Sequence, residues 1–425
     1  MRGASLTWRF AIIMPFNFPS HRDLHVEPPG LKRAAVGLLL IVASALWLVS
    51  CGGGNATSSS LGLTSGLSFR AFVSNSFTGQ LDLIDATADT LDTHTIATNA
   101  SLPSLMALTP DRSTTLVFCG GPHTMSVIDN STEQSKGLIG LPDFTESFIP
   151  SADSGRAFAA VPNEGVFGQP NGAVDVLNII GLFKITSIPV PGAHYLALSP
   201  DGSRLLAFGD NSNDVTVINT NRIGQSGVST TVSGFDRPVA GIFSSDGTKA
   251  FILNCGLECG GTQAGMTVLN MSDNSVGQTV PLQAATVGLL NGTTLYVAGT
   301  PSGGAQGTLQ TVDTGSLIAA APIAISNGFH NRMALTGNLL FVGARTCSNV
   351  TSGCLSIVDT NAKTATMDTP NGDVTGMAPI SNRNVIYVVE GGEVRIFDTT
   401  TGKLSPTQID ISGKAIDVIQ VDAAK

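Results

Sequence analysis

The chain has 425 residues, of which 42% are hydrophobic, only 12% are charged and 48 are glycine. That apolar content excludes a disordered chain, and the glycine-rich, charge-poor composition excludes a helical one in favour of many short strands and tight turns. Beyond the first 50 residues, 17 basic side chains face 29 acidic ones, a balance that repels phosphate backbones and excludes nucleic acid as a partner.

Lys32 and Arg33 precede an apolar run from Ala34 to Ser50. A positive start, an apolar middle and small residues at the cut make a secretory signal, so residues 1–50 read as a signal peptide with an extended leader. The run ends Leu48-Val49-Ser50-Cys51 and is followed by Gly52-Gly53-Gly54. This end resembles the bacterial lipobox. The resemblance implies that Cys51 carries lipid and becomes the first mature residue, and that Gly52 directs the product to the outer membrane where the cell has one. Residues 51–68 then form a flexible Gly/Ser linker.

From Phe69 onward one motif recurs eight times, two or more apolar or β-branched residues closed by Asp or Asn. Examples are Leu83-Ile84-Asp85, Val127-Ile128-Asp129, Val217-Ile218-Asn219 and Ile396-Phe397-Asp398, and the eight copies lie 39 to 51 residues apart. A repeat of that length without helical periodicity indicates propeller blades. Within the unit His194–Gly234, strands are expected over 194–198, 204–208, 215–218 and 230–233, with Ser199-Pro200-Asp201-Gly202 as the first turn. The first unit opens on what should be its second strand. Ala415 to Val421 is a lone apolar strand after the last unit, so the C-terminal strand is expected to complete the N-terminal blade and close the ring. The expected fold is therefore an all-β, single propeller over 69–425 with eight four-stranded antiparallel blades, seven being the alternative.

Phe72-Val73-Ser74-Asn75, Leu81 to Asp85, and Leu102-Pro103 through Thr109-Pro110-Asp111 together resemble the YVTN-type β-propeller repeat. That resemblance implies a propeller. It also sets two alternatives beside a binding protein, namely a structural surface-layer or adhesion component and a lactonase or related hydrolase working at the channel mouth.

Cys255 with Cys259 and Cys347 with Cys354 occupy corresponding loops in two blades, which reads as two disulfide staples in an oxidising compartment rather than one zinc site. Cys119 is left as a buried thiol. Hydrolase, P-loop and haem-attachment motifs are absent, no metal site or cofactor is indicated, and Asp210 to Asp214 reads as a polar turn rather than a calcium loop. Innermost strands of a propeller begin at one mouth of the central channel. His194, Arg237, His330 and Arg332 all stand at such strand starts, and form the candidate binding set for a small polar or anionic ligand. The functional expectation is a monomeric, lipid-anchored, non-enzymatic module of the cell envelope, bound to the membrane through its N-terminal lipid and recognising an envelope protein, a polysaccharide or a small ligand.

Overall fold

The computed structural model describes residues 64–348, 353–368 and 371–423. The signal peptide, Cys51 and most of the expected linker lie outside the described residues.

Each repeat folds as an antiparallel meander, because its apolar strands are short and its turns carry Pro, Asp and Gly. In the fourth blade the strands run Ala193–Leu198, Arg204–Gly209, Asp214–Asn219 and Ser229–Ser233, from the channel outward. The recurring Asp or Asn ends the third strand by accepting backbone N–H groups of the next turn. Asp85 takes the N–H of Thr87 at 2.8 Å, and Asp129, Asn178, Asn219, Asp313, Asp359 and Asp398 do the same in their own blades. Asn270 departs from the rule and donates to Ser275. The first turn is held similarly, with the Ser199 hydroxyl donating to Asp201 and accepting from the N–H of Arg204.

Eight such sheets make the ring. Their innermost strands are Ala415–Gln420, Pro103–Leu108, Ser147–Pro150, Ala193–Leu198, Pro238–Phe243, Val287–Asn291, Phe329–Thr336 and Val374–Ile380. The expected closure is present: Ala415–Gln420 pairs antiparallel with Arg70–Asn75, Val73 lying opposite Val418. The seam is reinforced by the Arg70 guanidinium, which forks onto Asp422 at 2.8 Å, and by Arg112, which donates to the carbonyls of Gln420 and Val421. Two outer strands are irregular. The sixth blade splits its outer strand into Ile318–Ala319 and Ile323–Ile325, and the eighth replaces it with single bridges from Leu404 and Ile409.

The hydrophobic core is divided among the joints between blades, with one buried cluster in each. Successive residues of a central strand point to opposite neighbours: Leu205 packs toward the third blade and Leu206 toward the fifth. Both faces of these strands are dry, which is why they read as continuous apolar runs rather than alternating ones. Both paired staples are present as disulfides, Cys255–Cys259 and Cys347–Cys354, with Cα separations of 5.6 and 5.7 Å, and Cys119 is a buried free thiol.

Strand direction fixes the two faces of the ring. Innermost strands start at the channel mouth, so the antiparallel second strands start on the opposite face. The chain enters the ring there, at Arg70–Asn75, and Ser65 just before it is held by Glu133 in a turn of the second blade.

Candidate functional site

All eight innermost strands, with the loops that lead into them, line one cavity of about 590 Å³ at the channel mouth. Its apolar wall is aromatic, with Phe118, Phe144, Tyr195 and Phe329 contributed by four different blades. Its polar wall is concentrated on the seventh and eighth blades, where Asn331, Arg332, Arg345, Asp373 and Thr375 face the space.

The four residues expected at the mouth take different places. Arg332 lines the cavity, its Nε donating to the Thr375 carbonyl at 2.9 Å and its Nη1 to the Asn331 carbonyl at 3.3 Å. His194 sits at the rim and is clamped between two carboxylates, Nδ1 at 2.6 Å from Asp210 and Nε2 at 3.0 Å from Glu146. Burial disfavours its charge, yet the two carboxylates outweigh burial and raise its pKa to about 9. The ring also stacks on Tyr195 at 4.2 Å. Arg237 opens onto an adjoining pocket of about 250 Å³, which shares Tyr195 and Phe329 with the main cavity. His330 is fully buried in the channel wall, Nε2 bonded to the Ser326 carbonyl at 2.9 Å, and burial pushes its pKa down to about 4. Room for that imidazole comes from Gly307, where a Cβ would stand 2.6 Å from His330 Cε1. Arg332 is thus brought into the cavity, His194 and Arg237 to its edge, and His330 into the wall behind it.

Arg345 was not among the expected residues and belongs to the site. It ends the second strand of the seventh blade, Leu339–Arg345, and a second strand finishes at the same mouth where innermost strands begin. Its Nε is buried without a hydrogen-bond partner. Burial and the positive charge of Arg332 both depress its pKa, while Glu146, Tyr195 and Asp373 act the other way. Among the described residues no carboxylate lies within ion-pairing distance of either Arg332 or Arg345. Asn331 Oδ1 and Thr375 Oγ1 are likewise buried and unpartnered beside them. Further in, Asp417 accepts the N–H of Met106 at 2.9 Å and of Val418 at 3.0 Å, reaching the ring interior past Gly376, where a Cβ would approach its Oδ1 to 2.7 Å. Burial raises the Asp417 pKa, opposed by Arg332, the backbone donors and Arg345.

No protein-family model matches the chain, and no curated protein matches it. Solved structures do match in shape. Dihydro-heme d1 dehydrogenase NirN, in complex with DHE, superposes with a TM-score of 0.65 at 10% identity over 83% of this chain and 75% of its own. A functionally unknown protein from Desulfotomaculum acetoxidans DSM 771 gives 0.54 at 14% identity over 83% and 98%. Kuenenia stuttgartiensis hydrazine synthase gives 0.50 at 16% identity over 78% and 92%. At such identities the likeness is one of fold.

Proposed function

We propose that this chain is an exported, lipid-anchored β-propeller of the YVTN-repeat type that serves the cell envelope as a non-enzymatic binding module, taking its ligand at the channel mouth. The observation that carries the reading is the recessed Arg332–Arg345 pair, two cations that have no carboxylate at ion-pairing distance among the described residues. Cations offset only at longer range, by Glu146, Asp373 and Asp417, keep donor capacity for a partner from outside. The Leu48–Cys51 lipobox and the Gly-rich stretch after it support the anchor.

A second reading, a hydrolase of lactonase type, is favoured by His194 standing beside Glu146 and Asp210. Its chemistry is disfavoured by the same geometry. Both ring nitrogens are occupied, and a histidine with a pKa near 9 is protonated at neutral pH and withholds the lone pair a general base needs. The haem-type ligand named for NirN is not carried over either. An axial histidine needs an imidazole open to the channel, whereas His194 is held by two carboxylates and His330 is buried in the wall.

The anchor is tested by mass spectrometry of the N-terminal peptide of the full chain recovered from cell membranes, alongside a Cys51→Ala variant. Acylated Cys51, with release of the variant into the soluble fraction, is the expected result. An unmodified Cys51 in a soluble protein would overturn the anchored reading.

A further inference from the structure

We infer that the Arg332–Arg345 quadrant of the mouth is a subsite for a hydroxylated carboxylic acid, a sugar acid of uronate type, seated with its carboxylate on the two guanidinium groups. The inference rests on the binding-module reading and deepens it.

The unpartnered atoms define the ligand. Arg345 Nε is a buried donor without an acceptor, and Asn331 Oδ1 is a buried acceptor without a donor. Thr375 Oγ1, also unpartnered, can serve as either. A fully deprotonated inorganic anion such as sulfate would satisfy the arginine and leave Asn331 Oδ1 unmet. A neutral sugar would satisfy Asn331 and leave the two guanidinium groups without a direct anionic partner. A molecule carrying both a carboxylate and neighbouring hydroxyls matches all three in kind, and the side chains that carry them line the cavity although the atoms themselves are closed to solvent. The remaining acidic groups agree with this division: Glu146 and Asp373 face the same cavity, where they disfavour a second negative charge inside it but accept hydroxyl donors. Across the cavity from the arginines, on the third and fourth blades, stand Phe144 and Tyr195, and Phe329 lies beside Arg345 on the neighbouring strand; such rings suit the apolar C–H surface of a pyranose. The cavity of about 590 Å³ exceeds what one such ring fills and is open at the mouth, so a terminal uronate of a longer chain can enter as readily as a free one.

A buried guanidinium nitrogen without a partner is a cost to the folded state. Ligand binding relieves it, so the site predicts opposite movements of stability and affinity on substitution. The experiment is titration calorimetry of residues 64–425 with glucuronate, glucose and inorganic phosphate, and with a short oligouronate to separate a free acid from a polysaccharide end. Thermal unfolding of the same samples accompanies it. Glucuronate or the oligouronate is expected to bind and glucose to fail. Arg345→Gln should weaken binding by at least about tenfold, the scale of one charge-assisted hydrogen bond. Unfolding temperature should stay level or rise in that variant. Binding of glucose as tightly as glucuronate would overturn the inference. So would binding of phosphate alone, retention of full affinity by Arg345→Gln, or the absence of any sugar-acid binding by the folded protein. An acylated Cys51 together with no sugar-acid binding would refute this subsite while leaving the envelope module standing.

Discussion

Ending the chain at Lys414 removes the strand that seals the ring, and the loss can be followed residue by residue. Val418 and Val421 are each 1% exposed, and withdrawing each buried side chain costs about 1.5–3 kcal/mol. Arg70 loses its fork onto Asp422, and Arg112 loses the carbonyls of Gln420 and Val421. The N–H of Met106 loses its acceptor on Asp417, and Arg70–Asn75 becomes an open sheet edge. These contributions together approach the whole stability of an ordinary domain, about 5–15 kcal/mol. The truncated protein is therefore expected to lose its cooperative thermal transition and to bind dyes that report exposed apolar surface. Val418→Ala is the graded companion and is expected to cost about 1–3 kcal/mol, seen as a lower midpoint with an unchanged slope in urea. A truncated chain that remains monomeric and melts cooperatively at the midpoint of the full protein would refute closure by this strand.

His194 has a folded pKa of about 9, above its ordinary value of 6.5, so its clamp contributes fully below pH 6.5 and is lost as pH rises through 9. The melting temperature should fall over that window, and His194→Gln should flatten the fall; equal slopes in both proteins would contradict the clamp. Asp175 is fully buried and shares the Lys184 ammonium and the Ser187 hydroxyl with Glu164, and burial followed by the Glu164 charge raises its pKa. The folded state therefore keeps a proton that the unfolded chain sheds, stability declines as pH climbs out of the ordinary carboxylate range, and Asp175→Asn should remove that decline in a pH series of melting curves. Alkylation of denatured, unreduced residues 64–425 should modify one thiol, Cys119, and reduction should expose four more at a cost of about 2 kcal/mol per bridge. Three or more reactive thiols before reduction would contradict the staples.

The repeat was legible because seven of the eight Asp or Asn residues do a local job: the side chain caps the following turn, so the residue type is set within three positions of sequence. Ring closure was legible for a similar reason, an apolar strand without its own hairpin at one end and a missing first strand at the other. The outer edge of the eighth blade was harder to read, since Gly402, Pro406 and Gly413 break the stretch that crosses it. At the mouth, strand starts were legible but burial was not. His330 disappears into a hole left by Gly307, 23 positions earlier and in the neighbouring blade, and no local pattern announces that pairing. Arg345 was missed because attention to innermost strands overlooks the second strands, whose ends reach the same mouth from the opposite direction.

The place where the ring is interrupted also decides on which face the first described strand enters it. By beginning on a second strand rather than an innermost one, the chain joins the ring on the side away from the cavity, with Ser65 tied down against Glu133 before the first strand begins. The channel mouth and the start of the first strand thereby lie on opposite faces of the ring. Anything that occupied the mouth would leave Ser65 and the start of that strand untouched, and a ring begun one strand earlier would have given that separation up.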